Sequence, residues 1–394
     1  MKPASSFLPR VLMWSLPVAS LATIACVVGV QWQPASFYPA YLVAFLFCLG
    51  LSLGSLATLL LHHVTGGGWG IPIRRILEGA VAALPLLALG FLPIALAPER
   101  LYVWARPEAV AADELLQHKS RYLNVEFFQY RAIGYFATWI LLALILNLLS
   151  AGTDLAGEPR RRRWLALISG PGLVVWCLTV TFAAVDWAMS LEPHWFSSMY
   201  GVLFIGGQGV SALSLAIVTV VLLRETAPWT ETLTTDRLHD LGNLLLAFVL
   251  FWSYVSFTQF LIIWSGNLPE ETPWYLHRSA GGWQYVPIVL ATLHFLLPFL
   301  LLLSRQAKRR PAWLLCIALL LMSMRLVDLY WLVMPAFSPE RFTLHWLMAA
   351  TVLAVGGWCI SLFAWRLSAR SRLKVYDSQS VEDQRHAVAE YTAH

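Results

Sequence analysis

Ten runs of about 20 mostly apolar residues, the length a helix needs to cross hydrocarbon, set what this chain can fold into. They fall near 11–30, 38–62, 76–97, 129–150, 164–188, 196–223, 239–264, 284–304, 311–335 and 343–368. Only helices or closed barrels can bond every backbone group inside a bilayer, and runs of this length and continuity read as helices. The expected fold class is therefore an all-α membrane protein of about ten transmembrane helices, a single integral domain over 1–394. Composition agrees: 58% of the residues are hydrophobic and 12% charged, against a usual charged share of about 25%. The first run follows Lys2 and Arg10. It is longer than the roughly 7–15 residues of a secretory h-region, and no small-x-small cleavage site follows it cleanly, so it reads as a retained helix.

Ten spans place both termini on one side, and the basic residues choose which. Of the 27 Lys and Arg, 19 flank the spans on the terminus side, 7 fall on the opposite side and Arg325 lies within a span. The positive-inside rule then puts both termini in the cytoplasm. Clusters such as EPRRRRW (158–164) and SRQAKRRP (304–311) act as anchors there, so the net charge of +5 reports orientation and not nucleic-acid binding. The outer loop 98–128 carries PEAVAADELLQH (107–118), with Pro at a first helical position, and predicts a short surface helix. The polar tail 371–394 is expected to fray unless a partner holds it. Neither piece is large enough for a catalytic domain, so soluble chemistry must come from another subunit.

The chain repeats itself. With Phe37 set against Phe196, Tyr41 meets Tyr200, Val43 meets Val202, Phe45 meets Phe204, Gly50 meets Gly209 and Ser52 meets Ser211. Ser55, Leu56 and Ala57 meet Ser214, Leu215 and Ala216. Weaker echoes follow: Arg75 and Glu78 resemble Arg237 and Asp240, and Val185-Asp186 resembles Val327-Asp328, each Asp followed seven residues on by Pro193 or Pro335. Chance among apolar sequences is the alternative for all of these matches, and more so for the weaker ones. The expected organisation is two four-helix halves, approximately 37–188 and 196–335, joined in parallel and flanked by the first and tenth spans.

An ionisable side chain inside hydrocarbon must find a partner or a function. Arg325 and Asp328 stand three apart on one helical face, either as a pair that locks helices together or as a proton-sensitive gate. Asp186 lies near the outer end of the fifth span, where it is either interfacial or functional. Glu78 and Asp240 enter their helices from the cytoplasmic side, where first-turn carboxylates also favour a helix N-terminus. On the seventh span Asp240, Asn243, Ala247, Leu250, Tyr254 and Thr258 share a face, with Ser253, Ser256 and Gln259 close by. That stripe would serve either a proton wire or interhelical hydrogen bonds.

No two histidines stand at matched depths for a b-type haem: His62, His63 and His345 are at helix ends, and only His294 is near a midplane. His294 is left to relay protons or to hydrogen-bond a quinone. The five cysteines lie in apolar stretches without CxxC pairing, which argues against a disulfide framework or an iron–sulfur site. HHVTGGGWG lacks the GK[ST] of a phosphate-binding loop, and the 19 Trp suit interfacial belts.

FAAVDWAMSLEPHWFSSMYG (182–201), LLAFVLFWSYVSFTQFLIIWSGNLPEETPWYLHRSAGGW (245–283) and RLVDLYWLVMP (325–335) resemble the NrfD-like, polysulfide-reductase-type membrane subunits. Within that family they are most similar to the ActF-type subunit of bacterial alternative complex III, over nearly all ten spans. The resemblance implies a non-catalytic subunit of a quinol:cytochrome c (or oxidase) oxidoreductase in the bacterial inner membrane, built of two four-helix bundles. Iron–sulfur clusters and haem c would sit in partner subunits, and quinol at an ActC-like paralogue, with membrane lipids and a terminal oxidase as further neighbours. This chain itself would hold no redox cofactor. Asp186, Arg325 and Asp328 match positions suggested for an outer proton half-channel, and Asp240 with the seventh-span stripe matches the inner one. Protons would enter past Glu78 or Asp240, pass Tyr254, Thr258 and His294, and leave near Asp328 or Asp186. Two other readings stay open: a quinol-binding anchor using His294 or Asp186, and an independent secondary transporter.

Overall fold

The computed structural model describes residues 7–150, 159–226 and 228–371, so the tail beyond 371 and Lys2 lie outside the described residues. Among the described residues ten helices are long and apolar enough to cross a membrane: α1 (Phe7–Trp32), α2 (Pro34–Thr65), α3 (Arg74–Leu96), α4 (Val125–Ser150) and α5 (Arg160–Leu191) in the first half of the chain. α6 (Tyr200–Leu222), α7 (Thr235–Gly266), α8 (Tyr285–Leu303), α9 (Pro311–Ala336) and α10 (Trp346–Ala369) follow. Every regular element among the described residues is helical. This is the all-α, ten-span architecture expected from the apolar runs.

α2 and α6, the helices that carry the sequence repeat, lie at the centre and pack on each other. Each then repeats the same neighbourhood. α2 packs on α3 and α5 as α6 packs on α7 and α9, while α2 also touches α9 and α6 also touches α5. Small residues allow the central approach: a methyl group at Gly54 would overlap the backbone of Gln208. Without water to drive helices together, such close backbone packing is what holds spans to one another. α1 packs chiefly along α10. The two run antiparallel, with Ser15 bonded to Ser361 at 2.7 Å and the Trp358 indole donating to Thr23 at 3.1 Å. The start of α1 and the end of α10 therefore share one end of the bundle, here the terminal end, opposite the far end.

Proline shapes two of the spans. α3 is broken after Val81 and around Phe91. Pro85 and Pro93 cannot donate to the carbonyls four residues back, so the α-helical ladder is interrupted at both places. One carbonyl released at the second break, that of Gly90, accepts the hydroxyl of Tyr41 from α2 at 2.5 Å. In α8 the segment Leu290–Leu296 is a π-helix, with the N–H of Leu297 reaching the carbonyl of Thr292. Pro298 follows at once and has no N–H for the carbonyl of His294, which accounts for the wider turn.

Two sequence expectations need correction here. The single surface helix over 107–118 is two, Pro107–Ala112 and Glu114–Lys119, because the Asp113 side chain accepts the N–H groups of Leu115 and Leu116 and starts a new helix. Arg131, one of the seven cations assigned to the opposite side although it falls at the edge of the run 129–150, belongs to the second turn of α4, which begins four residues earlier than that run does.

Candidate functional site

Each half of the molecule encloses one buried aspartate, at the matching place on its last helix. Asp186 on α5 is 0% exposed and Asp328 on α9 is 2% exposed. A carboxylate so buried has to be neutralised by partners, and the two halves do this differently.

In the first half the partners come from α4. Arg131 grips Asp186 through Nε at 2.8 Å and Nη2 at 3.0 Å, the fork geometry that makes arginine–carboxylate pairs strong. One turn along α4, the hydroxyl of Tyr135 donates to the same carboxylate at 2.8 Å. The guanidinium also donates to the carbonyl of Tyr122 at 2.9 Å and stacks on the Tyr122 and Phe127 rings, 3.9 and 4.3 Å from their centroids. Burial and then the Asp186 carboxylate push the Tyr122 phenol up to about 12, so it stays neutral. Around this knot the ring of Trp187 packs on Phe45, Phe91, Phe136 and Trp139. The Asp186 carboxylate is wholly enclosed, while the Arg131 guanidinium keeps a small exposed edge beneath Phe127.

In the second half Arg325 pairs with Asp328 one turn along the same helix. Gly207 on α6 makes room for that guanidinium, since a methyl group there would overlap it. The third partner is Trp252 of α7, whose indole N–H donates to Asp328 Oδ2 at 3.1 Å. The Trp252 ring also stacks on the imidazole of His294 from α8, with centroids 4.0 Å apart. His294 is 0% exposed, and neither of its ring nitrogens has a hydrogen-bond partner. Buried polar atoms are paired in the great majority of cases, so an imidazole with both nitrogens unpaired makes His294 a candidate site residue.

Of the residues singled out in the sequence, the structure thus brings together Arg325, Asp328 and His294, and sets Asp186 in the equivalent place of the other half. Glu78 lies at the terminal end, 8% exposed, bonded to Arg74 at 3.1 Å and to the Ser150 hydroxyl at 2.9 Å. It sits in the second turn of its helix and not the first, so capping is not its role. Nor does Asp240 cap α7: Thr234 does so through the N–H of Arg237, and the first-turn carboxylate is Asp236.

The stripe on α7 faces the wrong way for an interior wire. Asp240, Asn243, Ala247, Leu250 and Tyr254 are exposed and Thr258 partly so, while Leu245, Val249, Trp252, Val255 and Gln259 form the buried face. The stripe shares the outward side of the helix with Phe251, Phe257, Leu261 and Trp264, which are also exposed. Asp240, Tyr254 and Thr258 are accordingly separated from Asp328 by the body of their own helix.

Sequence reasoning missed Arg131, Tyr135 and Trp252. Tyr135 stands four residues after Arg131, a spacing that places both on one helical face. The echo between Asp186 and Asp328 was the signal that a second cation had to be found near Asp186. It also missed a clasp at the far end. Arg278, 2% exposed, holds Glu192 at 2.8 Å, the carbonyls of Trp274 and Leu332 at 2.9 and 3.1 Å, and lies 3.7 Å over the Trp274 ring. It thereby ties together the loops after α5 and α7 and the end of α9.

The described residues contain no group of three or more His, Cys, Asp or Glu side chains placed to hold a metal ion. No family model matches the chain, and no curated protein is detectably similar to it.

Proposed function

We propose that this chain is the ActF-type, NrfD-like membrane subunit of an alternative complex III, a quinol:electron-acceptor oxidoreductase of the bacterial inner membrane. In this reading it is structural and proton-conducting, holds no redox cofactor of its own, and has both termini in the cytoplasm. It packs beside an ActC-like paralogue that takes the quinol, and beside subunits that carry iron–sulfur clusters and haem c. The observation that carries the reading is the pair of enclosed Asp–Arg sites, Asp186 with Arg131 and Asp328 with Arg325, one in each repeated half. Intramembrane carboxylates paired in a bundle interior are what proton relays are built from. The three long motifs that resemble this family supply the assembly.

Within the second half, Asp328 exchanges protons with its surroundings while Arg325 stabilises the carboxylate form, and His294, with both ring nitrogens unpaired and Trp252 stacked on it, is a proton acceptor beside them. Asp186, held by two arginine N–H groups and a phenol, is the structural member of the pair. The experiment is quinol-driven proton transfer by the whole complex in sealed vesicles. Asp328→Asn is expected to reduce protons moved per electron while the complex still assembles. Loss of assembly with this variant would assign the Arg325 pair a purely structural role.

A second reading has one observation in its favour. The two free nitrogens of His294 are also what a quinol head group would bond, and a quinone found between α7, α8 and α9 would favour a quinol-binding anchor.

A further inference from the structure

His294 and Asp328 sit on adjacent helices, and one side chain stands in contact with both. Trp252 lays its ring on the His294 imidazole with 25° between the planes, and the N–H of the same ring reaches Asp328. The stack covers one face of the imidazole with carbon. The N–H occupies Oδ2 of Asp328, the oxygen that Arg325 also uses.

An indole is a donor only: it has one N–H and no lone pair with which to accept a proton. A hydroxyl, a carboxyl or an imidazole can receive a proton on one side and release another, but an indole cannot. Trp252 therefore bridges two proton-binding groups in space while breaking the hydrogen-bond chain between them. The first half differs at this point. There the neutral group on the buried aspartate is the hydroxyl of Tyr135, which can both donate and accept.

The backbone of α8 makes this arrangement specific. The π turn from Leu290 to Leu296 displaces the helical register where His294 is carried, and such turns are found disproportionately at functional sites. Gly207 leaves the space for Arg325, whose guanidinium also lies 5.5 Å from the Phe204 ring centroid. The charged groups at the site are thus Arg325 and Asp328 from α9, with the titratable His294 from α8 and the buried phenol of Tyr200 from α6, which lies in electrostatic reach of both Arg325 and Asp328.

We propose that Trp252 is a positioning residue that gates proton exchange between His294 and Asp328. With the indole stacked, the two groups are kept apart. When the ring leaves the stack, it gives up the imidazole face and the Asp328 oxygen together. A proton then passes from the His294 imidazolium nitrogen to a carboxylate oxygen of Asp328, leaving a neutral imidazole and a neutral acid beside Arg325, with no change in total charge. The inference rests on the reading of the second half as a proton path.

The test uses the whole complex in sealed vesicles with a pH-sensitive dye inside. Trp252→Ala is expected to raise passive proton entry several-fold without quinol, and His294→Gln added to it should return entry to the wild-type level. Trp252→Phe keeps an aromatic ring at this position and removes the N–H, so it carries the test where the alanine variant does not assemble. In it, the carboxylic C=O band that Asp328→Asn removes from the redox-difference infrared spectrum should move to higher wavenumber. A wild-type leak in Trp252→Ala, or a band unmoved in Trp252→Phe, overturns the gate. Should Asp328→Asn and His294→Gln both retain wild-type quinol-driven proton transfer, the proton-path reading itself fails, and the gate with it.

Discussion

Arg131 reaches Asp186 from a different helix and closes on it through two parallel hydrogen bonds, so the pair fastens α4 to α5. Arg325 does no such thing for Asp328, because both stand on α9. The first pair is a bridge between helices, and the second is a local charge balance whose outward contacts are Trp252 and the space left by Gly207. From that difference the two sites should respond differently to substitution.

Removing one member of the bridge leaves the other charge buried. Arg131→Leu is expected to destabilise the detergent-solubilised protein by about 3–5 kcal/mol, the cost of an uncompensated charge in an interior. The double variant Arg131→Leu with Asp186→Leu should recover most of that loss, because no charge is then left behind. Thermal unfolding of the single and double variants checks this, and equal losses in both would contradict it.

Gly207 and Gly134 make a matched comparison. A methyl group at Gly207 would strike the Arg325 guanidinium, whereas nothing lies within 4 Å of one at Gly134. Gly207→Ala should therefore lower stability and disturb quinol-driven proton transfer through Arg325. Gly134→Ala should be neutral or stabilising by up to about 1 kcal/mol, the propensity gain of Ala over Gly in a helix. Melting temperatures and proton-transfer rates of the two variants separate the outcomes.

The outward stripe of α7 should be dispensable for the interior path. Tyr254 is 67% exposed and points away from Asp328. Tyr254→Phe and Thr258→Val are expected to change stability by less than about 0.5 kcal/mol, as exposed substitutions usually do, and to leave protons moved per electron unchanged. A drop in that ratio for Tyr254→Phe would return the stripe to the path.

At the far end, pH should act through Asp113. The N–H of Leu116, and after it His194 at 2.8 Å, hold the Asp113 carboxyl below the usual carboxylate range. A group whose folded value is lowered stabilises the fold above its unfolded value and loses that contribution as pH falls through the folded one. The helix Glu114–Lys119 and its tie to the loop after α5 should therefore loosen only on acidification below the ordinary carboxylate range. Hydrogen exchange at Leu115 and Leu116 should rise there relative to residues of α4, and Asp113→Asn should weaken that dependence.

Most of the fold was legible in the sequence because a spanning helix announces itself by length and hydropathy alone. The repeat between Phe37–Ala57 and Phe196–Ala216 also located the two helices that occupy the centre. The site was legible only in part. Asp186, Asp328 and His294 stand out as polar residues in apolar runs, but their partners do not. Arg131 looked like a loop cation because a span's end is blurred by a turn, and Trp252 looked like any other interfacial tryptophan. The α7 stripe misled for a further reason: in a membrane a polar face can turn inward toward a path or outward toward a partner, and periodicity is the same in both. Only the packing of Val249, Trp252 and Val255 decides which.

The most direct test of the account is to purify the chain from its native membrane under mild detergent and to take subunit masses with a visible spectrum. The account predicts co-purification with a second NrfD-like subunit, an iron–sulfur subunit and c-type haem subunits, with quinol-reducible haem bands. A colourless chain purified alone under the same conditions would contradict it and return the molecule to the transporter reading.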